Sequence, residues 1–159
     1  MVCSCGQAVV GCVKLSWPRC DGLFWPHFGV GRVPWVEDWR ADRIGSAIRG
    51  TNPTVMARLP AAFAVMGDVQ WLPGYCVLLV DRPGVGGLTD LDSEGRRQYL
   101  ASMGTLGDAV ESACRAADGG FRRLNFDILG NTDAFLHAHV WPRYDWEPAE
   151  RVKKPVWLY

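Results

Sequence analysis

Two of the three histidines in this chain stand one residue apart, in Phe135-Leu136-His137-Ala138-His139-Val140-Trp141-Pro142-Arg143. Successive side chains of a strand point to opposite faces, so His137 and His139 share a side with Phe135 and Trp141. Leu136, Ala138 and Val140 then form an apolar side that can be buried. A neutral imidazole offers one nitrogen as donor and the other as base or nucleophile, and its ordinary pKa of about 6.5 lets it change charge near neutrality. Just ahead, Gly130-Asn131-Thr132-Asp133 is a run of turn formers, whose backbone N–H groups could hold an anion together with the Asn131 amide. Two imidazoles beside an anion-binding turn suit nucleophilic and proton-transfer chemistry at phosphorus.

The same pair could bind a metal, since two imidazoles on one face meet a tetrahedral ion easily. A third ligand would have to come from Asp127, Asp133, Asp145 or the distant His27, none at a spacing that specifies coordination, so no metal is expected. Histidines can also serve structure alone, but two on one face beside an Asn- and Asp-bearing turn favour a site. Trp71 and Trp141 are assigned to packing in a chain with eight tryptophans.

Several elements must position this strand. Strands are expected over about 122–129 and 135–143, and over 61–66 and 75–80, the last two forming an antiparallel pair joined by Gly67 to Gly74. Tyr99, Leu100, Met103, Leu106, Val110, Ala113, Cys114 and Ala117 recur every three or four residues, a long amphipathic helix capped at Ser93 and stopped by Gly119-Gly120. Trp39, Ile44 and Ile48 mark a shorter helix starting near Glu37 and ended by Gly50 and Asn52-Pro53. Strands before and after one long helix give an α+β domain with an antiparallel sheet over residues 37–159. Residues 1–36 carry no sustained period and read as an irregular N-terminal extension.

The Pro-Arg that closes the histidine strand sharpens the functional reading. The segment resembles the histidine-triad family, whose motif is three histidines alternating with hydrophobic residues and often followed by Pro-Arg. Aligned on Pro142-Arg143, His137 takes the place of the family's central, nucleophilic histidine and His139 that of the last, while Phe135 replaces the first. The Leu129-Gly130-Asn131 turn, and Asp68 with Pro73-Gly74 before a strand, are similar to the family's nucleotide-side elements; the likeness spans roughly residues 54–147. A Leu-Gly-Asn turn before a Leu-His-x-His strand is similar to bacterial members labelled diadenosine tetraphosphate hydrolases, in which the first histidine is also replaced.

The resemblance implies a nucleotide-phosphate hydrolase or nucleotidyl transferase acting on dinucleoside polyphosphates through a nucleotidylated His137. His139 would contact the transferring phosphate or hand over a proton, Asn131 would stabilise phosphate oxygens, and Asp68 would accept bonds from the ribose hydroxyls. It also implies a homodimer and a reaction without cofactor or metal. Two rivals remain: a nucleotide-binding module made catalytically weak by Phe135, and a metal-dependent hydrolase using the His-x-His pair.

Composition bounds the rest. With 159 residues, 48% hydrophobic, the chain can bury a core of its own. A net charge of zero gives no electrostatic footprint for nucleic acid, so any phosphate ligand must be held locally; the partner that the resemblance implies is a small nucleotide. No apolar run reaches the ~20 residues a membrane span needs, and no secretory leader is apparent, which points to the cytoplasm. Cys3, Cys5, Cys12 and Cys20 lack a C-x-x-C pair, which disfavours zinc, and Cys76 and Cys114 fall in apolar elements as core residues.

Overall fold

The computed structural model describes the backbone of residues 7–10 and 13–16 and all of residues 38–159. Within the segment read as irregular it places an antiparallel hairpin of β1 (Gln7–Val10) and β2 (Val13–Ser16). The four N-terminal cysteines and His27 lie outside the described residues. There follow α1 (Arg43–Arg49), β3 (Val55–Leu59), β4 (Ala62–Met66), β5 (Cys76–Val80), α2 (Ser93–Ala117), β6 (Phe121–Asp127) and β7 (His137–Tyr144). Strands β3 to β7 form one antiparallel sheet in the order β3-β4-β5-β7-β6, which is the expected α+β class.

Local chemistry sets the ends of the helices. Helix α1 starts six residues later than Glu37, because the Asp42 carboxylate accepts the Gly45 N–H at 2.9 Å and caps it there. Gly50 ends it with φ 72°, a left-handed conformation that glycine adopts without a Cβ penalty. The helix buries Ile44, Ser46 and Ala47, leaves Ile48 about half exposed and begins after Trp39, so of the three residues expected on its apolar stripe only Ile44 takes that place. In α2 the cap is Asp92, whose carboxylate accepts the Gly95 N–H at 2.7 Å; Ser93 is the first helical residue. Tyr99, Leu106, Val110 and Cys114 are buried as expected, whereas Leu100 faces outward.

Strand β3 has no counterpart in the sequence reading. It lies at the sheet edge, carries Arg58, and is separated from β4 only by Pro60-Ala61, so it shows neither alternation nor a long apolar run.

The sheet divides the molecule into two sides. Leu78, Ala138, Val140, Leu124 and Phe126 share the side covered by α2, as their pairings show: Leu78 opposite Ala138, Phe126 opposite Val140 and Leu124 opposite Pro142. Tyr99 and Ser102 pin the helix there by donating hydroxyl bonds to the carbonyls of Leu78 (2.9 Å) and Pro60 (2.7 Å). Each buried Leu or Val contributes roughly 1.5–3 kcal/mol, so this layer fixes which side of β7 faces inward. His137, His139, Trp141 and Arg143 therefore point to the other side, with Val77 and Leu79 beside them on β5.

The C-terminal segment folds back over part of that second side. Arg143 and Glu147 form a buried pair, with Nε–Oε1 at 2.8 Å and Nη2–Oε2 at 2.7 Å, and Arg143 also donates to the Val152 carbonyl at 2.6 Å. The Tyr159 hydroxyl donates to Glu147 from the end of the chain. Replacing one member of a buried, hydrogen-bonded ion pair strands the other charge, at a cost of about 3–5 kcal/mol. Arg143→Ala is expected to lower unfolding stability by that amount in urea titration; a loss below about 1 kcal/mol, the range of an exposed ion pair, would show that the pair does not hold this segment.

Candidate functional site

His137 is the first residue of β7 and sits opposite Leu79 of β5, beyond the last residue of β6, since Asp127 pairs with His139. Its side chain is buried, and its Nδ1 lies 2.9 Å from the Phe135 carbonyl oxygen. A carbonyl can only accept, so Nδ1 carries the proton and the neutral ring keeps its lone pair on Nε2. Phe135 thus orients the imidazole through its backbone, while its ring packs at 5.4 Å from that of His137. An orienting bond of this kind does not need a histidine at position 135.

His139, one pleat on, is enclosed by aromatic groups. Its Nδ1 is 2.7 Å from the Tyr75 hydroxyl, Trp157 stacks on it with centroids 4.2 Å apart, and the His137 ring meets it edge-on at 4.9 Å. Burial pushes its pKa down to about 4, the neighbouring His137 adding to the effect and Asp127 and Asp133 opposing it. The expectation that His139 titrates near 6.5 is therefore corrected: near neutrality it is an uncharged ring with one N–H to offer.

A pocket of about 430 Å³ opens on this side of the sheet, and all four residues singled out in the sequence line it: His137, His139, Asn131 and Asp68. Asn131 belongs to the exposed loop after β6. Asp68 comes from the loop between β4 and β5, which Gln70 shapes by donating to the carbonyls of Gly67 (3.0 Å) and Tyr75 (2.7 Å) and accepting the Gly74 N–H (3.1 Å). Gly67 is required there, because a Cβ would lie 2.3 Å from the Tyr75 ring.

Both Asp68 oxygens are engaged by the Arg43 guanidinium, through Nη1 at 3.1 Å and through Nη2, and this bond holds the Asp68 carboxyl below its usual range. A carboxylate has about four acceptor positions, so Asp68 keeps room for further donors, now in a fixed orientation. Arg43, Tyr75 and Trp157 were not found in the sequence. Arg43 arrives from α1 and Trp157 from the C-terminal turn, far from the histidine strand; only Tyr75, directly after Pro73-Gly74 at a strand entry, carried a local signal.

Among the described residues no group of three or more His, Cys, Asp or Glu side chains is placed to hold a metal ion. Asp127, considered above as a third ligand, accepts the Trp141 indole N–H at 2.6 Å. Cys76 and Cys114 are free and buried, as expected. No helix among the described residues is long and apolar enough to cross a membrane.

No protein-family model matches the sequence. No curated protein matches it either. Among solved structures, a histidine triad protein from Bradyrhizobium japonicum superimposes with a TM-score of 0.54 at 22% identity, covering 65% of this chain and 71% of that one. A histidine triad protein from Marinobacter aquaeolei VT8 gives 0.51 at 22% identity over 65% and 69%. A Hit-like protein involved in cell-cycle regulation from Bartonella henselae gives 0.53 at 19% identity over 66% and 83%. The chain has the fold of histidine triad proteins.

His139 faces His137 on its own strand, Asp127 on β6, Asp133 in the following loop and Tyr75 ahead of β5. Its folded pKa lies below the unfolded value, so between about 6.5 and about 4 the unfolded chain binds a proton that the folded chain refuses. Stability is expected to fall as pH drops through that window, and the His139 ring resonances in NMR should stay those of the neutral form down to about pH 5. A midpoint near 6.5 would mean the ring is not desolvated.

Proposed function

We propose that the chain is a histidine-triad enzyme, a nucleotide-phosphate hydrolase or nucleotidyl transferase acting on dinucleoside polyphosphates such as diadenosine tetraphosphate. The observation that carries this reading is the bond from His137 Nδ1–H to the Phe135 carbonyl, which leaves Nε2 as a free base at a pocket of about 430 Å³. The shared fold supports it, as does the meeting of Asn131, Asp68 and both histidines at one opening.

In this reading the Nε2 lone pair of His137 attacks a phosphorus, forming an N–P bond as the P–O bond to the departing nucleotide breaks and its electron pair leaves on oxygen. The Phe135 carbonyl holds Nδ1–H and so stabilises the positive charge that develops on the ring. Water or another acceptor then attacks the same phosphorus, loses a proton to solvent, and returns the N–P pair to His137. Asn131 and the loop N–H groups stabilise the phosphate oxygens, His139 donates to them through its ring N–H, and Asp68, held by Arg43, accepts the ribose hydroxyls. The nucleophile needs no metal, and the assembly is the homodimer that the resemblance implies.

The test is incubation of metal-free protein and His137→Ala with α-labelled diadenosine tetraphosphate, followed by alkaline denaturation and intact-mass measurement. The wild-type chain is expected to gain one nucleotidyl group and to release product steadily, and the variant to do neither. Binding without adduct or turnover would identify a nucleotide-binding module, and turnover that appears only with added divalent ion would identify a metal-dependent enzyme.

A further inference from the structure

We infer that Tyr75 is a positioning residue that fixes the proton of His139 on Nε2, so that this histidine hydrogen-bonds a leaving oxygen without protonating it and the site is selective for phosphoric anhydrides over phosphoramidates. The inference rests on the proposed hydrolase reading and deepens it.

The geometry begins with the 2.7 Å contact between the Tyr75 hydroxyl and His139 Nδ1. Either group could donate. Phosphate oxygens only accept, so a His139 that serves a phosphate pocket must present N–H there from Nε2, which leaves Nδ1 as a lone pair needing a donor. Tyr75 supplies that donor, and burial makes its phenol hold the proton more tightly than usual, so it remains an O–H. Gln70 and Gly67 fix the backbone and ring of Tyr75, and Trp157 stacks on the imidazole with centroids 4.2 Å apart. The ring is thereby held in one orientation and one tautomer by contacts that His139 cannot make on its own strand.

The consequence for substrate follows from the leaving group. When His137 Nε2 displaces a polyphosphate from phosphorus, the P–O electron pair departs on an oxygen that is a stable anion at neutral pH. A hydrogen bond is sufficient help. When the bond to be broken is P–N, the amine departs as a strong base unless a proton is delivered to it, and a neutral imidazole with Nδ1 already occupied is a poor source. The groups facing His139 are His137 on β7, Asp127 on β6, Asp133 in the loop and Tyr75, with Asp68 and Arg43 also lining the pocket, and burial outweighs the two nearby carboxylates.

The experiment has two readouts on the full chain. Nitrogen-15 NMR of histidine-labelled protein, unliganded, reports which ring nitrogen of His139 carries the proton in wild type and in Tyr75→Phe, a variant that keeps the ring and removes only the hydroxyl. Steady-state kinetics then compare diadenosine tetraphosphate with adenosine 5′-phosphoramidate. The expected results are a proton on Nε2 in wild type and a mixed or reversed tautomer in Tyr75→Phe. That variant should lose roughly tenfold in kcat with KM nearly unchanged, the size of one hydrogen bond. The phosphoramidate should turn over on the order of 100-fold more slowly than the anhydride, the scale of a missing general acid. A wild-type proton on Nδ1, or equal turnover of the two substrates, would overturn the inference. Absence of any turnover would overturn the hydrolase reading and the selectivity with it, whereas the tautomer, read without substrate, decides the Tyr75 contact separately.

Discussion

The register of β7 between β5 and β6 governs the histidine side of this molecule, because side chains of a strand alternate with a period of two. Leu136, Ala138 and Val140 are fully or almost fully buried, and a slip by one residue would exchange them for His137 and His139 against α2. The cost of losing several buried aliphatic groups while burying two imidazoles is many kcal/mol, far more than any local preference of the strand. The hydrophobic layer thus aims the histidines, although no residue of α2 lines their pocket.

Two backbone features then refine what the register provides. β6 ends opposite His139, so His137 emerges next to a single neighbouring strand and near the 128–136 loop, where its ring can reach both the pocket and the Phe135 carbonyl. The loop between β4 and β5 folds around the Gln70 amide and brings Asp68 and Tyr75 to the same opening. Glu147 and Arg143, by holding the chain end, bring Trp157 onto His139. The two histidines, adjacent on one strand, end in unlike surroundings: one keeps a base nitrogen at the pocket, the other is desolvated and tied to a phenol.

The side chain at position 135 takes on a different weight in this setting. What a catalytic imidazole requires is a fixed acceptor for its second nitrogen, and a main-chain carbonyl supplies one whatever side chain is attached to it. The Phe135 ring instead adds apolar packing beside His137.

By itself the sequence determined the α+β class, the long helix, four of the five strands in the main sheet and the side of β7 on which the histidines lie, because each of these follows from periodicity within one short segment. It also marked His137, His139, Asn131 and Asp68 as candidates that the fold gathers at one pocket. The edge strand β3 was not legible, since a partly exposed five-residue strand bearing Arg58 has no alternation to read. Nor were the true caps at Asp42 and Asp92, which depend on which nearby N–H groups are left without partners. Only tertiary structure decided that Arg43 meets Asp68, that Tyr75 and Trp157 enclose His139, and that His139 is held neutral, because these depend on which distant segments pack together and how much water they exclude.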